Sequence, residues 1–202
     1  VLAFGIKCLS VLYSVAFVFA MNNTKSWNIL SWNVREINSQ PKWDHIRNKI
    51  SKCAASIICL QETKRDSFDQ AYISKFCPRR INKFAFFPSV GASGGLLIYW
   101  EDGVFAGEVA DYNSYAITMK FRSKQSGAVF HLSNIYGPSS SVEKVAFISW
   151  LYNFDVNILE DRILLGDFNL IRSSSDRNKP GGDVGNMLLF NDLIQHLDLV
   201  DV

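Results

Sequence analysis

Four apolar runs in this chain each stop at a side chain that can hydrogen-bond or carry charge. Trp27-Asn-Ile-Leu-Ser-Trp32 leads into Asn33. Ser56-Ile-Ile-Cys-Leu60 leads into Gln61, Glu62 and Thr63. Val129-Phe-His-Leu-Ser-Asn-Ile135 leads into Tyr136, Gly137 and Pro138. Arg162-Ile-Leu-Leu-Gly166 leads into Asp167, Phe168 and Asn169. Short apolar runs bounded by polar or turn residues read as buried strands. If the four ends share one rim of a sheet, Asn33, Glu62, Tyr136, Asp167 and Asn169 converge. Ligand sites in strand-and-helix proteins favour such strand ends.

Gly166-Asp167-Phe168-Asn169 carries the most chemistry. Asp167 and Asn169 are two residues apart, so in an extended backbone they project to the same side. A carboxylate there can take a proton from water or hold a metal, and an amide can donate to a phosphoryl oxygen. A polar turn after a buried strand has the same composition, so the tetrapeptide alone does not choose between site and turn.

The motifs taken in order are more specific. Ile29-Leu-Ser-Trp-Asn-Val-Arg35, Ile58-Cys-Leu-Gln-Glu-Thr-Lys64, Ala92-Ser-Gly-Gly-Leu-Leu-Ile-Tyr-Trp100, Asn134-Ile-Tyr-Gly-Pro138 and Gly166-Asp-Phe-Asn-Leu-Ile-Arg-Ser173 follow one another at plausible spacing. From about residue 27 to residue 202 the chain resembles the endonuclease/exonuclease/phosphatase superfamily, with its deoxyribonuclease I-like fold. It is most similar to the endonuclease domain of plant LINE-type non-LTR retrotransposons. Strands with intervening helices, plus hairpins, give only an α/β reading with a mixed sheet. The resemblance implies more: a four-layer sandwich of two mixed β-sheets flanked by helices.

The resemblance also implies a metal-dependent phosphodiester hydrolase acting on DNA through its phosphate backbone. Glu62 would hold Mg²⁺, with Mn²⁺ as a substitute, and Asn33 would orient Glu62 or touch the metal. Oxygen ligands and few carboxylates suit Mg²⁺. Asp167 would orient or deprotonate the attacking water, and Asn169 would bind the phosphate. Tyr136 would donate its hydroxyl to the phosphate, or pack beside Pro138. A superfamily phosphatase acting on lipid or inositol phosphates shares these motifs. No stable protein partner is implied.

One part of the family pattern is missing. The chain has no Ser-Asp-His; its three histidines are His45, His131 and His196, which fall in a helical pattern, a strand and the last helix. The expectation is a domain without its C-terminal strands and without part of its catalytic set. Such a domain would show little nuclease activity, and an inactive remnant is the competing reading.

The 202 residues, 48% hydrophobic and 20% charged, suit one globular domain with a sizeable core. A net charge of +2 does not itself argue for nucleic acid. Basic clusters at Lys64-Arg65, at Arg79-Arg80 with Lys83 and at Arg122 with Lys124 read mostly as solvated surface. Arg172, Arg177 and Lys179 are the exception, because they follow Asn169 directly and could meet a phosphate backbone. Cys8, Cys53, Cys59 and Cys77 have no zinc spacing and read as free thiols of a reducing compartment.

Residues 1–20 are almost wholly apolar around Lys7, and a polar linker follows at 22–26. Residues 1–26 therefore read as an extension and linker standing apart from a domain at 27–202. A signal peptide or an anchor is the alternative for 1–20. Its uncharged part is short for a membrane span, so membrane attachment is disfavoured and an intracellular place, nuclear or cytoplasmic, is favoured. Helices are expected over 42–54, over about 141–160 after a capping box at Ser140 and Glu143, and over 186–197. The stripe of the second runs through Val142, Val145, Ala146, Ser149 and Tyr152. Strands are also expected over 96–100, 104–109 and 115–121.

Overall fold

The structure is a computed structural model that describes residues 2–5, 15–21, 25–91, 93–154, 161–176 and 182–201. One sheet is built from Val15–Met21 (β2), Lys25–Asn33 (β3), Ile57–Gln61 (β4), Lys83–Val90 (β5) and Ser93–Trp100 (β6), in the order β2-β3-β4-β6-β5. The other is built from Leu2–Gly5 (β1), Phe105–Tyr112 (β7), Ala116–Ser123 (β8), Val129–Tyr136 (β9), Asp161–Asp167 (β10) and Val200–Asp201 (β11), in the order β11-β1-β10-β9-β8-β7. Gln40–Cys53 (α1) and Gln70–Ile73 (α2) cover the first sheet, and Ser141–Tyr152 (α3) and Val184–His196 (α4) cover the second. This is the four-layer sandwich of two mixed sheets that the motifs implied. Among the described residues no helix is long and apolar enough to cross a membrane.

The layers follow from the two-residue period of a strand. Ile29, Ile57, Cys59, Leu96, Ile98 and Trp100 face the opposite sheet, while Leu30, Trp32, Ile58, Leu60, Leu97 and Tyr99 face the layer of α1. Both faces are buried, which is why these strands read as continuous apolar runs. On the second sheet Phe130, Leu132, Ile163 and Leu165 point to the middle, and Ile135 and Leu164 point to α3 and α4. Rings of Trp27, Phe105, Phe121 and Phe130 fill much of the middle layer, Trp27 stacking on Phe130 at 5.0 Å.

Within residues 1–20, the described segments 2–5 and 15–20 do not stand apart as expected. β1 pairs in parallel with β10, and β2 pairs antiparallel with β3. An uncharged apolar segment satisfies its backbone groups by joining a sheet edge, and β3 and β10 supply those edges. Lys25 and Ser26, read as linker, belong to β3. Cys8 lies outside the described residues.

Other local readings need correction. β5 escaped notice because it does not alternate and contains Pro88; it is an edge strand, where a missing N–H is tolerated. The capping box is not made: Ser140 is the N-cap of α3 but its side chain forms no cap bond. α3 ends at Tyr152, with Asn153 as its C-cap. Its buried face is Phe147, Ile148 and Leu151, whereas Val142 and Val145 are 82% and 69% exposed. Apolar residues surround this helix, and the larger side chains take the core because they remove more area from water. α4 buries Phe190, Leu193 and Ile194 as its spacing predicts.

Candidate active site

Asn33, Gln61, Tyr136 and Asp167 are the last residues of β3, β4, β9 and β10. β3 and β4 run parallel with Asn33 opposite Gln61; β9 and β10 run parallel with Tyr136 opposite Asp167. Each shares the parity of its strand's middle-layer residues, Ile29, Cys59, Leu132 and Leu165. The same alternation that packs the core therefore delivers four polar side chains to the open end of the gap between the sheets.

Just beneath that rim the two sheets are joined by a buried amide pair. Gln61 Nε2 donates to Asn134 Oδ1 at 2.6 Å and to Ser31 Oγ at 3.0 Å. Asn134 Nδ2 donates to the carbonyls of Leu60 at 3.1 Å and Leu97 at 3.3 Å. Both side chains are buried, and such groups are tolerated only when bonded. The pair fixes one sheet against the other one residue below Glu62 and two below Tyr136. Sequence reading missed Asn134, since nothing in the sequence pairs it with Gln61.

At the rim, Asn33 Nδ2 donates to Asp167 Oδ2 at 2.8 Å, again across the sheets. The Arg35 N–H holds Asn33 Oδ1 at 3.0 Å. The carboxylate that Asn33 touches is thus Asp167, whereas the sequence reading has Asn33 orient Glu62 or touch the metal. Asp167 Oδ1 accepts the Asn169 N–H at 3.0 Å, and Asn169 Nδ2 donates to the Gly137 carbonyl at 2.7 Å. That bond uses one of the two Nδ2 protons and leaves the other. Burial, then the nearby charges of Glu62 and Asp167, push the Tyr136 phenol up to about 12. Lys64 Nζ lies 3.4 Å from Glu62 Oε1.

Backbone geometry tightens the same region. Gly166 has φ +139°, and a Cβ there would lie 1.9 Å from the Ile135 carbonyl oxygen. A Cβ on Gly137 would lie 2.1 Å from the Phe168 oxygen, and the Gly137 N–H bonds the Asp167 carbonyl at 2.8 Å. Of the six non-glycine residues with positive φ among those described, Arg35, Glu62, Lys64 and Asn169 all follow directly on these strand ends. Left-handed backbone at such residues is costly and gathers at functional sites.

The structure thus brings together Asn33, Glu62, Tyr136, Asp167 and Asn169. It leaves the histidines elsewhere: His45 stands on α1 against Trp32, His131 is buried five residues before Tyr136 in β9, and His196 ends α4 beside Tyr152. Arg172 Nε bonds Asn191 Oδ1 at 3.1 Å, so it ties its loop to α4; Arg177 and Lys179 lie outside the described residues. Among the described residues no group of three or more His, Cys, Asp or Glu could cage a metal. Glu62, Asp167 and Asn33 offer oxygen donors with two carboxylates, the donor set of a hard cation that keeps several waters. These residues fit Mg²⁺.

Comparison with known proteins decides the family. Residues 30–187 match the model of the Endonuclease/Exonuclease/phosphatase family. The chain belongs to that family. The matched span holds every residue of the rim. The fold is shared with the AP endonuclease LMAP from Leishmania major, with a TM-score of 0.63 at 16% identity over 85% of this chain and 66% of that one. The endonuclease domain of TRAS1, a telomere-specific non-LTR retrotransposon, superposes with a TM-score of 0.60 at 12% identity, covering 85% of this chain and 72% of that one. In sequence, 86 residues are 33% identical to the transposon TX1 uncharacterized 149 kDa protein of Xenopus laevis, spanning 42% of this chain and 7% of that protein.

Proposed function

We propose that this member of the endonuclease/exonuclease/phosphatase family is a metal-dependent DNA endonuclease domain of retrotransposon origin. The observation that carries the proposal is the hydrogen bond from Asn33 to Asp167 beside Glu62 and Tyr136. Two carboxylates, an amide and a phenol meet at the ends of four strands from two sheets. The likeness in sequence to a transposon protein, and in fold to a retrotransposon endonuclease domain, supports the choice of DNA and of origin.

Each residue then has a task. Glu62, with Asn33 beside it, would hold Mg²⁺, which when bound neutralises the anionic oxygens of the phosphodiester and its leaving oxygen. Asp167 orients the attacking water and takes its proton. Among the described residues its two oxygens accept the Asn33 and Asn169 N–H groups, and a carboxylate has room for about four such bonds. Asn169 turns its remaining Nδ2 proton to a phosphate oxygen. Tyr136 stays protonated throughout the neutral range and so remains a donor.

Plasmid nicking tests the proposal. Mg²⁺-dependent conversion of supercoiled to open-circular DNA, abolished by Asp167→Asn, is the result that supports it. A second reading is a domain that binds but does not cleave. None of the three histidines stands with Asp167, so no imidazole shares the phosphate's charge. Tight DNA binding with no nicking at any Mg²⁺ concentration would favour it.

A further inference from the structure

Beside the rim, on the side of Lys64, lies a cavity of about 510 Å³ lined by Asn38, Lys64, Arg65, Asp66, Ser89 and Gly91. It is unlike an ordinary solvated surface in one respect: its arginine is already held in place. The Arg65 guanidinium lies 3.7 Å from the centre of the Tyr72 ring and 5.8 Å from that of Phe68. Arg65 Nε donates to the Ser67 carbonyl at 3.1 Å and Nη1 to Asn38 Oδ1 at 3.4 Å. Asn38 Nδ2 donates to the Lys64 carbonyl at 3.3 Å, and the Tyr72 hydroxyl donates to the Ile37 carbonyl at 2.7 Å. From the other wall the Ser89 N–H bonds the Arg65 carbonyl at 2.8 Å.

Two of the five guanidinium protons are therefore used for positioning and three remain. A stacked, pre-organised arginine gives up less freedom for each bond it makes than a mobile one. Lys64 marks the border, since its ammonium lies 3.4 Å from Glu62 while its residue lines the cavity. The lining carries two cations against one carboxylate, Asp66, whose Oδ1 is occupied by the Ser67 hydroxyl at 3.2 Å.

We infer that this cavity binds a second phosphate of the same strand, the one next to the phosphodiester at the rim, with Arg65 and Lys64 as its donors and Tyr72 positioning Arg65. The inference rests on the function proposed above and sharpens it. A substrate with a single phosphate leaves this cavity empty, whereas a polynucleotide fills it. The contact is to backbone, so it adds affinity without reading sequence.

The test is equilibrium binding of a fluorescent DNA duplex to the full chain in EDTA, where no cleavage occurs, over a series of salt concentrations. Arg65→Met should weaken binding about tenfold and lower the slope of log K against log salt by about one, and adding Lys64→Met should lower it by about one more. Arg65→Lys should recover the slope but only part of the affinity, because it keeps charge and loses the fork and the stack. Tyr72→Leu should weaken binding as Arg65→Met does and add nothing to it. Inhibition of the nicking reaction by inorganic phosphate should be the same in wild type and Arg65→Met. Unchanged affinity and slope in Arg65→Met would refute the inference even if the chain nicks DNA. Absence of nicking, with the binding losses present, would sink the endonuclease proposal and leave the second phosphate site standing.

Discussion

Asn33 and Asp167 are 134 residues apart in sequence and 2.8 Å apart in space, and the bond between them crosses from one sheet to the other. Asn33→Ala should cut nicking about a hundredfold, the scale for losing one oriented polar partner. Asn33→Asp should behave differently. A second carboxylate against Asp167 raises the pKa of the pair, so the base is ionised only at higher pH. Its activity, relative to wild type, should be lowest in acid and recover as pH rises, which a pH–rate profile reads directly.

Glu62→Gln keeps the shape of the side chain and removes its charge. A ligand that binds the folded chain and not the unfolded one stabilises it, by an amount that rises with the logarithm of its concentration above Kd. Wild type should therefore melt at higher temperature in Mg²⁺ than in EDTA, and Glu62→Gln should show no such rise. This readout does not depend on catalysis.

Tyr136 links site and stability. Its phenol ionises at about 12 in the folded chain against 10 ordinarily, chiefly because it is buried and secondarily because Glu62 and Asp167 are near. The folded state thus holds this proton more tightly than the unfolded state. That contribution is complete below pH 10 and is lost as pH rises towards 12. Tyr136→Phe should lack this part of the alkaline loss of stability, measured as denaturation midpoints on either side of that window. In an ultraviolet titration it should also lack one late-ionising phenol.

The Gln61–Asn134 bond is a buried pair whose members depend on each other. Gln61→Leu and Asn134→Leu should each cost about 1–3 kcal/mol, since each strands the other amide. The double variant should cost less than the sum, and a double-mutant cycle by chemical denaturation measures the difference.

Gly166→Ala and Gly137→Ala should each destabilise by more than about 3 kcal/mol, because the added Cβ meets backbone oxygen that cannot move aside. Urea denaturation of the soluble fraction would show it. Gly91→Ala, with positive φ but open space around it, should cost only about 1 kcal/mol.

Much of the sandwich was legible because strands buried on both faces write themselves as apolar runs, and because the polar residue that ends each run is visible. The family followed from the order of those endings. What could not be read is what depends on two distant segments meeting. Asn134 looks like any residue inside a strand until Gln61 is opposite it. Tyr72 and Arg65 are seven residues apart, and Arg65 lies outside the short helix that carries Tyr72. The face of α3 was misread because apolar side chains surround it, so spacing alone does not say which of them the sheet will cover. β1 and β2 were misread for a related reason: a segment that is apolar on both faces carries no mark of which edge it will join.

The shared parity of Asn33, Gln61, Tyr136 and Asp167 has a consequence for how such a chain tolerates change. Each side chain is carried to the gap by counting in twos from the core. A single-residue insertion or deletion anywhere in β3, β4, β9 or β10 reverses that count and turns the terminal group to the helix layer. Substitutions within these strands alter packing by degrees, but a change of length by one removes the site in a single step. These four strands should therefore keep their lengths fixed even where their side chains vary, while gains and losses of residues collect in the connections between them.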